Sequence, residues 1–165
     1  MEDLIYKRLQ SVRDPMAVEL FFQLLKILIE DLRIGPENPK LSLTVPKSQN
    51  RFVVNLNSRY AMTLEHNGSI GLLIETADFR KAQRLVRSTS LFRFSKAKEE
   101  DDYFLKYPAR LLTDKVLDAL LPLWLKACRN LEPRMSRSPY RKFHSRELYE
   151  LVLDGGRRRY WVAKS

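Results

Sequence analysis

Cysteine, histidine and glycine are scarce in this chain of 165 residues, and their scarcity excludes several kinds of functional site. Cys128 is the only cysteine, so an intrachain disulfide cannot form. His66 and His144 are the only histidines, which argues against a zinc site. The five glycines form neither a phosphate loop nor a dinucleotide-binding fingerprint, and no serine-hydrolase elbow is present. We therefore expect no catalytic residue, no metal and no cofactor.

Long hydrophobic runs are also absent. The two longest apolar-rich stretches, Phe21–Leu32 and Val116–Leu131, both contain charged residues. Neither supplies the ~20 apolar residues that a membrane span needs. The chain begins with the acidic Met1-Glu2-Asp3, and no apolar segment of a signal peptide follows. These features predict a cytoplasmic protein without a membrane partner.

Two long helices have clear start signals. Residues Met1–Arg33 are predicted to be helical; Asp14 can cap the second helix there, which has Pro15 at its first position, and Gly35 and Pro36 are expected to end it. Thr113 can cap a second long helix. Each helix has one narrow polar stripe and is otherwise apolar, which predicts that both are largely buried. We also expect Pro122 to kink the second one.

The segments between these helices alternate apolar and polar residues, as strands do. Strands are predicted at Leu41–Val45, Arg51–Leu56, Tyr60–Glu65, Ser69–Ile74, Leu91–Phe94 and Tyr103–Tyr107. Asn67-Gly68 is the strongest hairpin signal in the chain. The expected fold is α+β: an antiparallel sheet, a meander with an Asn-Gly hairpin, packed by two long, largely buried helices.

Three shorter elements complete the prediction. Asp78 is expected to cap a short helix that runs to about Val86. A basic loop precedes a helix that Ser145 is expected to cap and that runs to about Leu153. A last strand is expected at Arg159–Ser165, and its abrupt end predicts that residues 1–165 form one domain at the start of a longer chain.

Positive charge is concentrated in two segments, which hold sixteen of the thirty lysines and arginines. Arg80–Lys98 has seven basic residues and no acid, and Arg134–Lys164 has nine basic and three acidic residues. Concentrated positive charge attracts polyanions, of which nucleic acid is the commonest that a protein meets. Arginine outnumbers lysine in both segments, which favours forked contacts to phosphates and guanine edges.

Four groups of residues are candidates for contacts with nucleic acid. The segment from Met135 to Ser145 mixes arginines with aromatic rings, which suit phosphates and stacked bases respectively. The other groups are a terminal basic strand, a polar loop entering a strand, and one face of the short helix. The predicted contact residues are Arg137, Tyr140, Arg141, Lys142, His144, Arg157, Arg158, Arg159, Trp161, Lys47, Asn50, Arg51, Arg59, Arg80, Arg84 and Arg87.

Each candidate group also has a plain structural interpretation. The basic segments can be solvated surface, and Trp161 is more easily placed in a core than on an exposed stacking platform. Tyr60, Tyr103 and Tyr107 can likewise line a base-binding pocket or pack in the core. A metal-dependent nuclease centre would use Glu75 and Asp78, but Lys81 does not have the expected spacing.

Two stretches carry a resemblance to a known family. The run from Ser48 to Glu65, with Ser138 to His144, resembles the N-terminal specificity regions of McrB-type restriction proteins. In that family, a variable N-terminal domain binds DNA, often with a modified cytosine, a GTP-driven motor domain follows, and a partner subunit cuts. The resemblance implies a duplex DNA partner, modified or not, and further domains or subunits of a restriction complex.

The sequence thus predicts a non-catalytic DNA-binding domain of a bacterial restriction or defence protein. Three alternatives stay open: an RNA-binding domain, a metal-dependent nuclease subunit, and a protein-interaction module whose basic faces meet an acidic partner. The sequence does not indicate which base or modification is recognised, nor the oligomeric state.

Overall fold

The structure is α+β, as the sequence predicts. The computed structural model describes residues 2–46, 51–86, 90–94, 102–133 and 141–154. The helices in these ranges are α1 (Glu2–Ser11), α2 (Pro15–Leu32), α3 (Phe79–Leu85), α4 (Asp114–Arg129) and α5 (Ser145–Leu153). The strands are β1 (Leu41–Val45), β2 (Arg51–Leu56), β3 (Arg59–Glu65), β4 (Ser69–Glu75), β5 (Ser90–Phe94), β6 (Asp102–Pro108) and β7 (Arg141–His144).

The strands form one antiparallel sheet with the order β5-β6-β4-β3-β2-β1-β7. Strands β1 to β4 are the predicted meander, β6 and β5 extend it on one side, and β7 pairs with β1 on the other. The sequence-predicted Asn67-Gly68 hairpin joins β3 to β4, where Gly68 has a φ of 87°. Asn57 and Ser58 both have positive φ, as a two-residue hairpin turn between β2 and β3 requires.

Helix α2 begins as predicted but ends earlier than expected. The Asp14 carboxylate accepts a hydrogen bond from the Met16 N–H, and Pro15 is the first helical residue. The helix ends at Leu32 because Arg33 adopts the left-handed conformation, with a φ of 52°. The helix therefore ends one residue before Arg33, the last residue that was predicted to be helical. Arg33 adopts the left-handed backbone conformation that glycine more often supplies at the end of a helix.

Helix α4 also follows its prediction at the start. The Thr113 hydroxyl accepts a hydrogen bond from the Val116 N–H, and the helix continues through Pro122 to Arg129. The buried face includes Trp124, whose indole N–H donates to the Ala61 carbonyl at 2.8 Å. This bond ties α4 to β3 in the middle of the sheet.

The end of the described chain differs from the prediction in two ways. Arg141–His144, expected within a basic loop, forms strand β7, because the edge of β1 offers unpaired backbone groups that a local pattern does not reveal. His144, rather than Ser145, precedes the first turn of α5, and its N–H donates to the Glu147 carboxylate. Ser145 is buried, and its hydroxyl donates to the Pro36 carbonyl instead.

Asp78 also takes a role that its position in sequence did not suggest. It precedes α3, but its carboxylate makes no capping bond to that helix. The carboxylate accepts instead from the Lys126 ammonium of α4 at 3.0 Å. A tertiary ion pair has therefore replaced the local cap.

Four helices form a layer on one face of the sheet, here called the first face. Phe21 of α2 packs against Phe52, and Phe79 of α3 against Tyr103. Helix α4 contacts both α2 and α3, and α5 contacts α2 and β1, so these two helices belong to the same layer. Alternate strand residues on the first face are apolar and form the core with the helices. The remaining strand residues point to the opposite side, here called the second face.

Candidate nucleic-acid interface

The second face carries polar as well as apolar side chains, whereas the strand residues of the first face are mostly apolar. One row of residues in direct register crosses six strands of the sheet. From β7 to β6, the row consists of Lys142, Thr44, Val53, Thr63, Gly71 and Lys106. A second row beside it contains His144, Ser42, Asn55 and Tyr60. The face thus carries hydroxyls and an amide at its centre and a lysine on each side.

The centre of this face is buried. Ser42, Thr44, Asn55 and Thr63 are four of the five buried polar residues in the described part of the chain. The Asn55 amide donates to the Thr44 hydroxyl at 2.6 Å, which satisfies two of these groups together. The Thr63 hydroxyl has no hydrogen-bond partner among the described residues. Strands β1 and β2 are therefore buried on both faces, and any binding surface lies towards the sides of the second face.

Arg51 and Tyr60 meet above the middle of the sheet. Arg51 lies at the start of β2, opposite Glu65, and Tyr60 lies near the other end of β3. Their long side chains approach each other, with the guanidinium carbon 5.9 Å from the centroid of the Tyr60 ring. This distance is within the range of a cation–π contact. Between the two residues lie the paired Val53 and Thr63, so the contact helps to cover the centre of the face.

A second aromatic contact continues across the neighbouring strands. Tyr60 meets Phe104 of β6 edge to face, with ring centroids 6.4 Å apart. Strand β4 lies between them, and Gly71 leaves the space that the contact uses. A Cβ at Gly71 would lie 2.3 Å from the Thr63 hydroxyl oxygen and 3.4 Å from Phe104 Cδ1. Glycine at this position therefore allows side chains of the two neighbouring strands, β3 and β6, to pack over β4.

Lys106 and Glu65 form an ion pair over the same glycine. The Lys106 ammonium is 2.9 Å from a Glu65 carboxylate oxygen, and the two side chains are 25% and 19% exposed. The aliphatic part of Lys106 passes within 3.4 Å of the Cβ position at Gly71. Arg51, Tyr60, Glu65, Phe104 and Lys106 together are called the second-face cluster below.

Helix α3 presents the other concentration of positive charge. Arg80, Lys81 and Arg84 are exposed, and the Arg84 Nε–H donates to the Arg80 carbonyl. In the described ranges, none of these three side chains has a carboxylate partner. Helix α3 ends at Leu85, so Arg80 and Arg84 share a helix as predicted, whereas Arg87 lies outside the described residues.

Several acids on or beside the other helices contrast with this, because they are paired with cations. Arg129 donates two hydrogen bonds to Asp31, and Arg146 donates to Glu37. Lys126 lies 3.0 Å from Asp78 and 3.6 Å from Glu75, and Asp78 is the main cause of its raised pKa. These ion pairs neutralise Lys126, Arg129 and Arg146, whereas the three cations of α3 have no carboxylate partner among the described residues.

The two basic segments of the sequence do not meet in their described parts. Lys142 and His144 lie on β7 at one edge of the sheet, whereas α3 packs against α4 beside β4. Arg51 shares the second face with Lys142, and Arg59 begins β3 next to the β2–β3 turn. The predicted contact residues outside the described ranges are Lys47, Asn50, Arg87, Arg137, Tyr140, Arg157, Arg158, Arg159 and Trp161. For Arg141, only the backbone, paired with Val45, is described.

Sequence reasoning missed three members of the second-face cluster. It singled out Arg51 and Tyr60, but not Glu65, Phe104 or Lys106. Lys106 reaches Glu65 because β4 pairs with β6 instead of with β5, the next strand in the sequence, and this strand order is not encoded locally. The available signal was the alternation of β6, which places Phe104 and Lys106 on the same face.

The residues considered for a nuclease are engaged in ion pairs. Glu75 and Asp78 both contact Lys126, and Asn130 donates to Glu75 at 2.6 Å. In the part of the chain that the structure describes, no three His, Cys, Asp or Glu side chains are grouped as metal ligands would be. The described helices also include none with the length and apolar character needed to cross a membrane.

Comparisons with known proteins identified no relative of this chain. No protein-family model, no curated protein and no solved structure matches this chain.

Proposed function

We propose that this chain is a non-catalytic domain that binds duplex DNA, as part of a bacterial restriction or defence protein in the cytoplasm. The resemblance to McrB-type specificity regions is the basis for duplex DNA, modified or unmodified, as the partner. The geometry supports the more general part of the proposal, which is the binding of a polyanion by fixed arginines and lysines.

The observation that carries the proposal is the grouping of three exposed cations, Arg80, Lys81 and Arg84, on the one short helix α3. Carboxylates pair with the Lys126, Arg129 and Arg146 cations, so these contribute little net field. The three cations of α3 have no such partner among the described residues. Exposed cations that lack a carboxylate partner can exchange their counterions for phosphates, and the released ions favour binding.

A binding assay on α3 tests the proposal. The triple variant Arg80→Gln, Lys81→Gln, Arg84→Gln removes the three charges, and we expect it to weaken duplex binding by at least ~10-fold near 0.1 M salt. The matched control Lys7→Gln, Lys26→Gln, Lys115→Gln removes three exposed cations elsewhere. Equal losses from both triple variants would show that only the total charge matters, and would contradict a DNA-binding role for α3.

A competition experiment separates DNA from the other polyanions. Unlabelled duplex DNA, single-stranded RNA and an acidic peptide are each added to a preformed complex with labelled duplex. The proposal predicts that duplex DNA competes best. Displacement by RNA at lower concentration would favour the RNA-binding alternative, since RNA readers use splayed bases and 2′-hydroxyls. Displacement by the acidic peptide alone would favour a protein-interaction module.

A further inference from the structure

Two acids lie next to the basic helix α3, and both are held by groups of α4 and the residue that follows it. The Asp78 carboxylate, at the residue before α3, accepts a hydrogen bond from the Lys126 ammonium at 3.0 Å. Glu75, at the end of β4, lies 3.6 Å from the same ammonium and accepts a hydrogen bond from the Asn130 amide at 2.6 Å. Both carboxylates are thus bound to groups outside α3, although the cations of α3 follow them closely in the sequence.

The backbone of Asp78 places its carboxylate within reach of α3. Its φ of −97° and ψ of 0° lie in the helical region, so Asp78 continues the turn that leads into the helix. A capping residue usually has an extended backbone, which explains why Asp78 does not cap α3. Lys81 lies three residues further on, at a spacing that allows side chains of opposite charge to pair on a helix. Without Lys126, the Asp78 carboxylate can therefore pair with Lys81.

Apolar contacts hold α3 against the rest of the fold. Ala82 is buried, and the Phe79 ring packs on Tyr103 with ring centroids 4.3 Å apart. The Lys126 side chain is 49% exposed, and an ion pair at such a site adds little to stability. The pair of Lys126 and Asp78 therefore affects the charge beside α3 more than it affects the position of the helix.

We infer that Lys126 is a positioning residue for DNA binding by α3: it keeps Asp78 from pairing with Lys81, and so leaves Lys81 available to a phosphate. Carboxylates and phosphates compete for the same ammonium group, so an acid one turn away lowers the positive charge that α3 presents. This inference rests on the proposed function, in which α3 contacts the DNA backbone. It adds a residue of α4 that supports binding through an acid, without itself touching DNA.

The two partners of this ion pair are expected to have opposite effects on binding. Lys126→Gln releases Asp78 towards Lys81, so duplex DNA is expected to bind about three- to tenfold more weakly near 0.1 M salt. Asp78→Asn removes the competing acid, so its affinity is expected to equal or exceed that of the wild type. If the ion pair served only to hold α3 in place, both substitutions would weaken binding.

Two exposed residues of α4 provide matched controls. Lys115 belongs to the same helix and lies about three turns, or roughly 16 Å, before Lys126. This separation exceeds the ~10 Å over which exposed charges interact at this salt concentration. Lys115→Gln is therefore expected to bind duplex DNA within about twofold of the wild type. Asp118→Asn makes the same change in charge as Asp78→Asn, and it is also expected to stay within about twofold.

Double-mutant cycles show whether Lys126 acts through Asp78 and Lys81. The loss caused by Lys126→Gln is expected to disappear in the Asp78→Asn background, and also in the Lys81→Gln background. A loss that persists beside Asp78→Asn would show that Lys126 itself contacts DNA. Thermal unfolding of each variant shows whether it is folded at the assay temperature. If Lys126→Gln is not, the comparison of Asp78→Asn with Asp118→Asn still decides the question.

The outcomes separate this inference from the proposed function. If Lys126→Gln binds as tightly as Lys115→Gln, or Asp78→Asn binds more weakly than Asp118→Asn, Lys126 does not act by holding an acid away from α3. In that case, a loss of binding on removing the α3 cations would still support the proposed function. If the wild-type chain binds no duplex DNA, both proposals are wrong.

Discussion

Gly71 shows how one residue can determine the packing of a sheet face. Its missing side chain leaves room for the Thr63 hydroxyl, the Phe104 ring and the stem of Lys106, which come from two neighbouring strands. A Cβ 2.3 Å from the hydroxyl oxygen cannot be accommodated without movement. We expect Gly71→Ala to lower the free energy of unfolding by about 1–3 kcal/mol, measured by urea denaturation.

Gly35 provides the matched control for this prediction. A Cβ at Gly35 meets no atom within 4 Å, so Gly35→Ala is expected to change stability by less than ~1 kcal/mol. Adding Thr63→Ala to Gly71→Ala removes the atom in collision, so the two substitutions together are expected to cost less than the sum of their separate effects. Additive costs would show that the hydroxyl is not what excludes a side chain at Gly71.

Cys128 is predicted to be unreactive while the protein is folded. Burial raises the pKa of its thiol well above the ordinary value, with a smaller contribution from Asp31, so the nucleophilic thiolate is disfavoured. As the only cysteine, it gives a single-site signal with a thiol reagent at pH 8. We expect slow labelling of the native protein and fast labelling in denaturant. Equal rates would contradict the buried position.

The same shift has a consequence for stability at alkaline pH. A thiol with a raised folded-state pKa stays protonated when the unfolded chain has already released its proton. The unfolded state then binds fewer protons, so this group lowers stability as pH rises above the unfolded thiol pKa of about 8.5. Below that pH, Cys128 contributes no pH dependence. Replacing it with alanine is expected to remove this part of the alkaline loss of stability.

At the level of elements, the start of α4 depends on one hydroxyl. The Thr113 oxygen accepts from the Val116 N–H at 3.3 Å, at an exposed site with little packing. Thr113→Ala is expected to cost about 1 kcal/mol of unfolding free energy, whereas Thr113→Ser keeps the acceptor and should recover most of the loss. If serine were as destabilising as alanine, the methyl group rather than the cap would be responsible.

Elements with local signals could be predicted from the sequence, and elements that depend on distant partners could not. Asp14 and Thr113 cap their helices through groups two and three residues away, so local spacing was sufficient. The pairing of β7 with β1 joins segments about a hundred residues apart, and so does the bond from Ser145 to Pro36. For this reason, Ser145 was wrongly expected to cap α5.

Local signals in the sequence also predicted only part of the candidate site. The charges of α3 are neighbours in sequence, and the helix that carries them was predicted. In the second-face cluster, Lys106 and Glu65 come together only when β6 pairs with β4. No local pattern in the sequence therefore predicted that these two residues are in contact. A hairpin between β5 and β6 can be inferred from local features, but its position against β4 requires the folded sheet.

At the scale of the whole molecule, the apolar core and the exposed cations lie in different parts of the structure. The helices and the first face of the sheet enclose the apolar core, ion pairs join Asp31, Glu37 and Asp78 to cations of α4 and α5, and three exposed cations lie on α3. Positive charge is concentrated in two segments of the sequence, and α3, a described part of one of them, presents it on an exposed surface. Phosphate contacts from such surfaces should make DNA affinity depend steeply on salt.

The most direct test of the central claim is a salt titration of duplex DNA binding by the wild-type chain and the α3 triple variant. If α3 contacts phosphates, log K falls linearly with log salt, and removing the three cations makes the slope shallower by about 2–3 units. The control triple variant at Lys7, Lys26 and Lys115 is expected to keep the wild-type slope. No binding of duplex DNA at ~50 mM salt, or equal slopes for the wild-type chain and the α3 variant, would contradict the account.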